Sequence, residues 1–143
     1  MALDIGAIRT GYVTRLATIT GLHVYRTLAG ELAPPAAVVL PADDFLDYHA
    51  AMAKGLVKLS WRILVATSKT IEHDGQDLLD DYLSAGTGQT KSIIDAIEAD
   101  RTLSGTVDDT LVSVARSYGP IQWNETLSYF GAELRAENYV DRQ

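Results

Sequence analysis

Four side chains that can bind a hard metal ion or assist hydrolysis lie close together in the first half of the chain. The segment "DDFLDYH" contains Asp43, Asp44, Asp47 and His49. A metal hydrolase needs further ligands that converge from elsewhere, and the other histidines, His23 and His73, show no matching motif. We therefore expect an acidic loop anchored by Phe45 and Tyr48, without a metal, and a surface contact is its better functional interpretation.

A second group of acids lies in "IEADRTLSGTVDD", residues 97–109. Such acids suit a metal loop, a catalytic pair, or a helix end, a turn and a strand start that face water. A calcium loop needs oxygen ligands at alternate positions ending in a bidentate glutamate, and this order is absent. A negative charge at a helix C-terminus interacts unfavourably with the helix dipole, by ~0.3–1 kcal/mol. Glu98 and Asp100 must therefore occupy these positions for another reason, and solvation of their carboxylates is a sufficient one. The pattern favours a structural turn.

Motifs for nucleophilic catalysis and phosphate binding are also lacking. The chain has no cysteine and no G-x-S-x-G elbow. The segment "GTGQTKS", residues 86–92, has glycines and a lysine but not the spacing of a phosphate-binding loop, which favours a connector. The aromatic residues are dispersed over expected strands, as core packing requires; examples are Tyr25, Trp61, Trp123 and Tyr129. We predict no catalytic residues and no cofactor.

Composition and charge narrow the class of protein. The 143 residues fit one domain, 1–143, and 47% of them are hydrophobic, as in ordinary globular proteins. The absence of cysteine excludes disulfides and fits a reducing compartment. No apolar run approaches the ~18 residues that cross a bilayer, and the first residues alternate charged and apolar side chains, so we expect neither insertion into a membrane nor export. A net charge of −7 argues against tight binding to a nucleic-acid backbone.

The first half of the chain predicts a helix followed by strands. Apolar residues at intervals of three and four predict a helix from Leu3 to Ile19. Strands are expected at "LHVYRTL" and "AAVVLP", and residues 41–55 are interpreted as a long loop or arm. The segment "LVKLSWRILVATS" alternates apolar and polar residues, which predicts a strand with one face toward the core.

The second half predicts two helices and two more strands. One helix ends near Gly86, and a short one carries Ile93, Ile94 and Ile97 after a cap at Thr90 or Ser92. Strands are expected at "TLVSVARSYGP" and "LSYFGAELRAENY", joined by "YGPIQWNET", where Gly119 and Pro120 supply the break. This order predicts an α+β fold, a mainly antiparallel or mixed sheet with helices packed on one face.

Several segments, taken in order, carry a family resemblance. The proline step Pro34, Pro35 into "AAVVLP", the following Asp44 and Tyr48, and the segment "AIEADRTLSGTVDD" before "LVSVARSYGP" resemble the tail terminator proteins of long-tailed phages of actinobacteria. The likeness extends from the first helix to the last strand. It implies a tail-terminator-like fold and a structural virion protein without enzymatic activity.

The resemblance also implies partners and a location. A homo-hexameric ring would cap the tail tube, contact the tail tube protein and meet the head-to-tail connector or stopper protein. The protein would be made in the host cytoplasm and lie in the neck of the virion, at the head–tail junction. DNA would pass through an acidic lumen without specific binding, and no membrane would be involved. Asp44, Phe45, Asp47 and Tyr48 are the expected contacts to another subunit or to the tail tube.

Two alternatives stay open at this point. The first is another neck subunit, a stopper or an adaptor between portal and tail. The second is a small acidic ligand-binding or hydrolytic domain that uses the loop from Asp43 to His49. A ring in native mass measurements favours a neck protein, and a metal-dependent monomer favours the second alternative.

Overall fold

The computed structural model describes residues 3–27, 30–50, 55–68, 73–123 and 128–141, with the backbone alone at 73 and 74. It contains three helices and five strands within these ranges. In chain order these are α1 (Ile5–Leu16), β1 (His23–Tyr25), β2 (Ala36–Asp47), β3 (Leu56–Ser68), α2 (His73–Leu83), α3 (Ile93–Glu98), β4 (Asp109–Gln122) and β5 (Ser128–Asp141).

The five strands form one mixed sheet in the order β1-β2-β3-β5-β4. β1 runs parallel to β2, and the other neighbouring pairs are antiparallel. The central pair, β3 and β5, stays in register along most of its length, from Leu56 opposite Asp141 to Ser68 opposite Phe130. The predicted α+β class with a mixed sheet is confirmed, whereas the single domain 1–143 remains a prediction.

One face of the sheet meets all three helices. The predicted apolar side of β3 is fully buried, and its members are Val57, Leu59, Trp61, Ile63 and Val65. This side belongs to one core cluster together with Ile8 and Leu16 of α1, Leu79 of α2 and Ile93 of α3. Because side chains alternate along a strand, the neighbouring residues of β3 point to the opposite face.

We call that opposite side the open face, because no helix within the described ranges packs on it. Its members include Asp47 of β2, Lys58, Ser60, Arg62 and Leu64 of β3, Asp109 and Arg116 of β4, and Glu133, Arg135, Glu137 and Asp141 of β5. One end of it is covered by the segment before β2, where Leu32 packs with Val38 and Tyr129 in a second, smaller cluster. The rest of the open face is available to solvent or to a partner.

Hydrogen bonds at the helix ends explain where two helices begin. Asp4 caps α1 by accepting a hydrogen bond from the amide of Ala7 at 3.1 Å. Ser92 caps α3 and accepts a hydrogen bond from the amide of Asp95 at 3.2 Å. Of the two predicted caps of this helix, Ser92 is therefore the one that the structure uses.

Two predicted loops are wrong in part. Residues 41–47, interpreted as part of a loop or arm, continue β2; residues 48–50 form a turn, and 51–54 lie outside the described ranges. The irregular pattern comes from a register shift between Pro41 and Leu46, where Asp44 has a φ of 52°. Between these pairs β2 advances five residues while β3 advances two, so three extra residues break the two-residue alternation before pairing resumes.

The second error concerns Gly119 and Pro120, which lie inside β4 and do not end it. The register shifts between Arg116 and Gly119, where Gly119 has a φ of 146°. β4 is the last strand of the sheet, and an edge strand tolerates proline because one side of its backbone needs no partner. Within the predicted strand "LHVYRTL", three residues form β1, residues 26 and 27 form a bend, and residue 28 lies outside the described ranges.

Candidate interaction surface

The acids of residues 97–109 serve the fold. Glu98 reaches from the end of α3 to β4, where its Oε2 accepts a hydrogen bond from the amide of Val112 at 3.0 Å. Asp108 Oδ2 accepts a hydrogen bond from the amide of Asp141 at 2.6 Å, which joins the start of β4 to the end of β5. These two acids thus stabilise backbone groups, a stronger reason for their placement than solvation alone.

Asp100 organises the turn after α3. Its Oδ1 accepts hydrogen bonds from the amide and hydroxyl of Thr102, at 3.2 and 2.9 Å, and its Oδ2 accepts one from the amide of Ser104 at 2.9 Å. The hydrogen bond from the Ser104 amide is the main reason that the pKa of Asp100 lies below its usual value, and the Thr102 hydroxyl adds to it. The structural interpretation of this segment is confirmed for Asp100.

Asp109 forms a two-pronged ion pair with Arg101. The guanidinium Nε and Nη2 lie 2.7 and 2.9 Å from the two carboxylate oxygens. The hydrogen bond from Arg101 is the main cause of a lowered pKa at Asp109. The carboxylate is thereby bound to its own chain, as it is at Asp100.

The acidic segment 43–49 lies at the bulge of β2 and in the turn after it. Asp43, Asp44 and Asp47 are exposed, and Asp47 Oδ1 accepts a hydrogen bond from the amide of His49 at 3.0 Å. Throughout the part of the chain that the structure describes, no three His, Asp or Glu side chains converge as a group that could hold a metal ion. Within those ranges the segment therefore presents acids to solvent without a convergent metal site.

Phe45 and Tyr48, the two aromatic residues of the expected contact, differ in environment. Phe45 packs edge-on against Trp61, with ring centroids 4.7 Å apart, and it is partly buried beside the core. Tyr48 is 50% exposed. The bulge thus turns Phe45 inward and leaves Asp44, Asp47 and Tyr48 at the surface, so of the two aromatic residues Phe45 is the one that anchors the segment.

A buried polar chain crosses the core, and sequence reasoning missed it. The Tyr12 hydroxyl donates to Asn138 Oδ1 at 2.7 Å, and Asn138 Nδ2 donates to Thr110 Oγ1 at 2.6 Å. All three residues are fully buried. The available signal was the inward position of Asn138, which follows Leu134 and Ala136 on the core side of β5.

Charged residues of the open face form a cross-strand network. The buried Glu133 accepts from two arginines: Arg62 Nη1 lies 3.4 Å from its Oε1, and Arg116 Nε lies 2.5 Å from its Oε2. Further along the strands, Glu137 lies 3.6 Å from Lys58 and 3.4 Å from Arg135. Each of these two carboxylates is therefore shared by two cations. Because paired residues project to the same side, Asp47, Asp109 and Asp141 also lie on the open face, so the face as a whole has no excess of positive charge.

A groove of about 300 Å³ lies on the open face beside this network. Four of its lining residues are the partly exposed apolar side chains Leu40, Leu64, Ile121 and Trp123, and Arg62 and Glu133 are also among them. Apolar walls next to a few oriented polar groups are typical of binding surfaces in proteins. This open face, with its groove, is the candidate interaction surface.

The remaining predicted motif, residues 86–92, is a turn-rich connector between α2 and α3. Gly86 and Gly88 have φ values of 106° and 87°, and the amide of Gly86 donates to Asp95 Oδ2 at 2.7 Å. α3 has six residues and follows this connector directly. The interpretation of this segment as a connector is confirmed.

Comparisons with known proteins leave the family open. The chain matches no protein-family model, and no curated protein matches it. No helix in the described ranges is both long and apolar enough to span a bilayer. The resemblance of the sequence motifs to tail terminators therefore supports a proposal and does not establish a family.

Proposed function

We propose that this chain is a structural virion protein, a tail terminator that forms a homo-hexameric ring at the end of the tail tube. The observation that carries the proposal is the open face: helices cover one side of the sheet, and the other side presents a groove and a charged network. A ring subunit needs two different surfaces that meet between neighbouring copies. A sheet with a single covered face leaves one such surface ready.

The way in which this chain uses its acids also favours a structural role. Glu98, Asp100, Asp108 and Asp109 are engaged in hydrogen bonds that hold a turn and a sheet edge. An acid that works in catalysis is usually free to exchange a proton with a substrate inside a cleft. Under this proposal the protein is not an enzyme, uses no cofactor, and acts through shape and contacts with the tail tube and the head-to-tail connector.

The acidic balance supports passage of DNA through such a ring. Binding to a phosphate backbone is driven largely by Lys and Arg, which displace counterions. The chain carries a net charge of −7, so a lumen lined by its acids repels the backbone and gives no specific DNA site. We place the protein in the neck of the virion, with no role at a membrane.

Imaging of intact particles tests the proposal. A virus that encodes a tagged copy of this chain is expected to show six-fold density at the capsid-proximal end of the tail tube. Loss of the chain is expected to leave tails that do not join heads. Density on the portal side would identify the chain as a stopper or adaptor and not as a terminator. Particles that lack the chain at the head–tail junction would refute a neck function altogether.

A further inference from the structure

We propose that the groove on the open face binds a small organic carboxylate with a flat apolar body, held by the guanidinium of Arg62. The inference goes beyond the proposed ring and does not depend on it. Three observations carry it: the weak engagement of Arg62, the apolar walls and small size of the groove, and the position of the open-face acids away from it.

Arg62 is the cation that the groove offers to a ligand. Glu133 lies between two arginines and makes its shorter contact, 2.5 Å, with Arg116. The contact of Glu133 with Arg62 is 3.4 Å, and it is the only hydrogen bond that the Arg62 guanidinium makes to the residues that the structure describes. The Arg62 side chain is 40% exposed, so most donors of its planar fork are available to a ligand.

The fork and the walls together select the charged group of the ligand. A guanidinium binds carboxylates and phosphates through two parallel hydrogen bonds. The walls beside Arg62 include Leu40, Leu64 and Ile121, which are partly exposed apolar side chains. A phosphate carries more negative charge than one guanidinium neutralises, and apolar walls do not replace the water that it loses. A carboxylate, with a single charge, is therefore the better match.

The size of the groove and Trp123 determine the rest of the ligand. The groove has a volume of about 300 Å³, equal to roughly ten water molecules and at the lower end of ligand pockets. A protein partner usually buries ~800 Å² on each side, an area that extends far beyond such a groove. Trp123 lines it and packs edge-on against Tyr129, with ring centroids 6.5 Å apart. An aromatic wall favours a flat ring as the ligand's body.

The acids of the open face lie at the end of the sheet away from the groove. Asp47 and Asp109 lie in the same row as Lys58, and Asp141 lies one row further out. Arg62 follows Lys58 by four residues along β3, a distance of ~13 Å. Salt screens exposed charges over ~8 Å at physiological ionic strength, so these acids affect a ligand at Arg62 only weakly.

In and beside the groove the balance of charge is positive. Arg62, Arg116 and Arg135 contact Glu133 and Glu137 there. Three arginines against two glutamates leave an excess of one positive charge, although the open face as a whole has none. A ligand with one negative charge neutralises this excess.

Titration of the full chain with phenylpropionate, followed by ¹⁵N–¹H NMR, tests the site. The indole N–H of Trp123 is expected to shift, whereas that of Trp61, which is fully buried on the other side of the sheet, is expected to stay. Phenylpropanamide keeps the ring and lacks the charge, and acetate keeps the charge and lacks the ring. Each of these two probes is expected to bind roughly tenfold or more weakly than phenylpropionate.

Two matched substitutions locate the charge that binds the probe. Arg62→Met removes the guanidinium and keeps an apolar stem, and it is expected to weaken phenylpropionate binding by roughly tenfold or more. Lys58→Met removes a cation from the same face outside the groove and is expected to bind like the wild type. Circular dichroism verifies folding. If Arg62→Met does not fold, Arg62→Lys, which keeps the charge without the fork, and the amide probe decide.

Three outcomes overturn the inference: no shift of the Trp123 indole at millimolar phenylpropionate, an amide that binds as tightly as the acid, or equal losses in Arg62→Met and Lys58→Met. A blocked tripeptide with a central aspartate between apolar residues that binds more tightly than phenylpropionate would also overturn it, because the occupant would then be a protein segment. The position of the chain in particles tests the proposed function separately, so either proposal can fail while the other stands.

Discussion

Tyr12 and Asn138 lie 126 residues apart in the sequence and meet inside the core, where the phenolic hydroxyl donates to the side-chain carbonyl over 2.7 Å. Asn138 continues the chain of hydrogen bonds to Thr110, so α1 is tied to β5 and β4. Burial raises the pKa of Tyr12 above its ordinary value. The hydroxyl therefore stays protonated, as a donor, wherever the protein is folded.

Removal of the Tyr12 hydroxyl is expected to lower the free energy of unfolding, although it deletes only one oxygen atom. Tyr12→Phe leaves Asn138 Oδ1 buried without its donor, which costs about 1–3 kcal/mol in the free energy of unfolding. Urea denaturation measures this loss. The matched control is Tyr118→Phe, which removes an exposed hydroxyl from Asp80 and is expected to change stability by less than ~0.5 kcal/mol. Equal effects of the two substitutions would contradict the role of the buried chain.

Glu98 is expected to protect the free edge of β4. Its carboxylate satisfies the outward amide of Val112, next to the register shift between Val112 and Val114. Glu98→Ala leaves that amide to water, with an expected loss of about 1 kcal/mol and faster hydrogen exchange at Val112. Glu98→Gln keeps an acceptor and is expected to retain most of the protection. Unchanged exchange at Val112 in the alanine variant would show that the contact has no such effect.

Asp100 and Asp109 are expected to make the protein less stable at low pH. The pKa values of Asp100 and Asp109 are lowered in the folded chain, mainly by hydrogen bonds from the Ser104 amide and from Arg101. A lowered pKa stabilises the fold above the unfolded value of about 3.9, and this stabilisation is lost as pH falls through the folded pKa. We expect the free energy of unfolding to decline from about pH 5 downward, and Asp100→Asn to flatten that decline.

Denaturation series between neutral and acid pH test this prediction. Asp43→Asn is the control, because Asp43 is exposed and accepts no hydrogen bond from the residues that the structure describes. It removes one carboxyl group as Asp100→Asn does and is expected to leave the decline as in the wild type. An Asp100→Asn series parallel to that of the wild type would exclude a contribution from this acid.

The elements that depend on periodicity were predictable from the sequence. The alternation of β3 placed Trp61 and Ile63 on the core side correctly, and one of the two expected caps, Ser92, begins α3. Both signals are local, since a strand alternates over two residues and a cap acts over three. The α+β class followed from the order of such elements.

The rest depends on contacts that local patterns do not encode. The bulge at Asp44 and the shift before Gly119 looked like loops because each disturbs the alternation, although pairing with the neighbouring strand continues. The Tyr12–Asn138 contact and the pair of arginines on Glu133 join distant segments. The open face emerged only from the strand order, which placed β4 beside β5, and from the packing of the described helices on the other side of the sheet.

The four expected contact residues separate into an anchor and a surface group, and this difference predicts two phenotypes. Phe45 packs on Trp61 at 4.7 Å, so Phe45→Ala is expected to lower the free energy of unfolding by about 1–3 kcal/mol, below the full cost of a completely buried phenylalanine. Tyr48 is 50% exposed, so Tyr48→Ala is expected to change stability by less than ~0.5 kcal/mol.

Assembly and stability then distinguish a contact role from a folding role at this bulge. If Asp44, Asp47 and Tyr48 contact a neighbouring subunit or the tail tube, Tyr48→Ala and the pair Asp44→Asn with Asp47→Asn weaken the joining of heads and tails while the unfolding curves stay unchanged. Phe45→Ala weakens joining only to the extent that it lowers stability, and Phe45→Leu, which keeps apolar contact with Trp61, restores both. If particles with the surface variants join heads and tails normally, the segment has a structural role alone, because its packing against the core is then the contribution that remains.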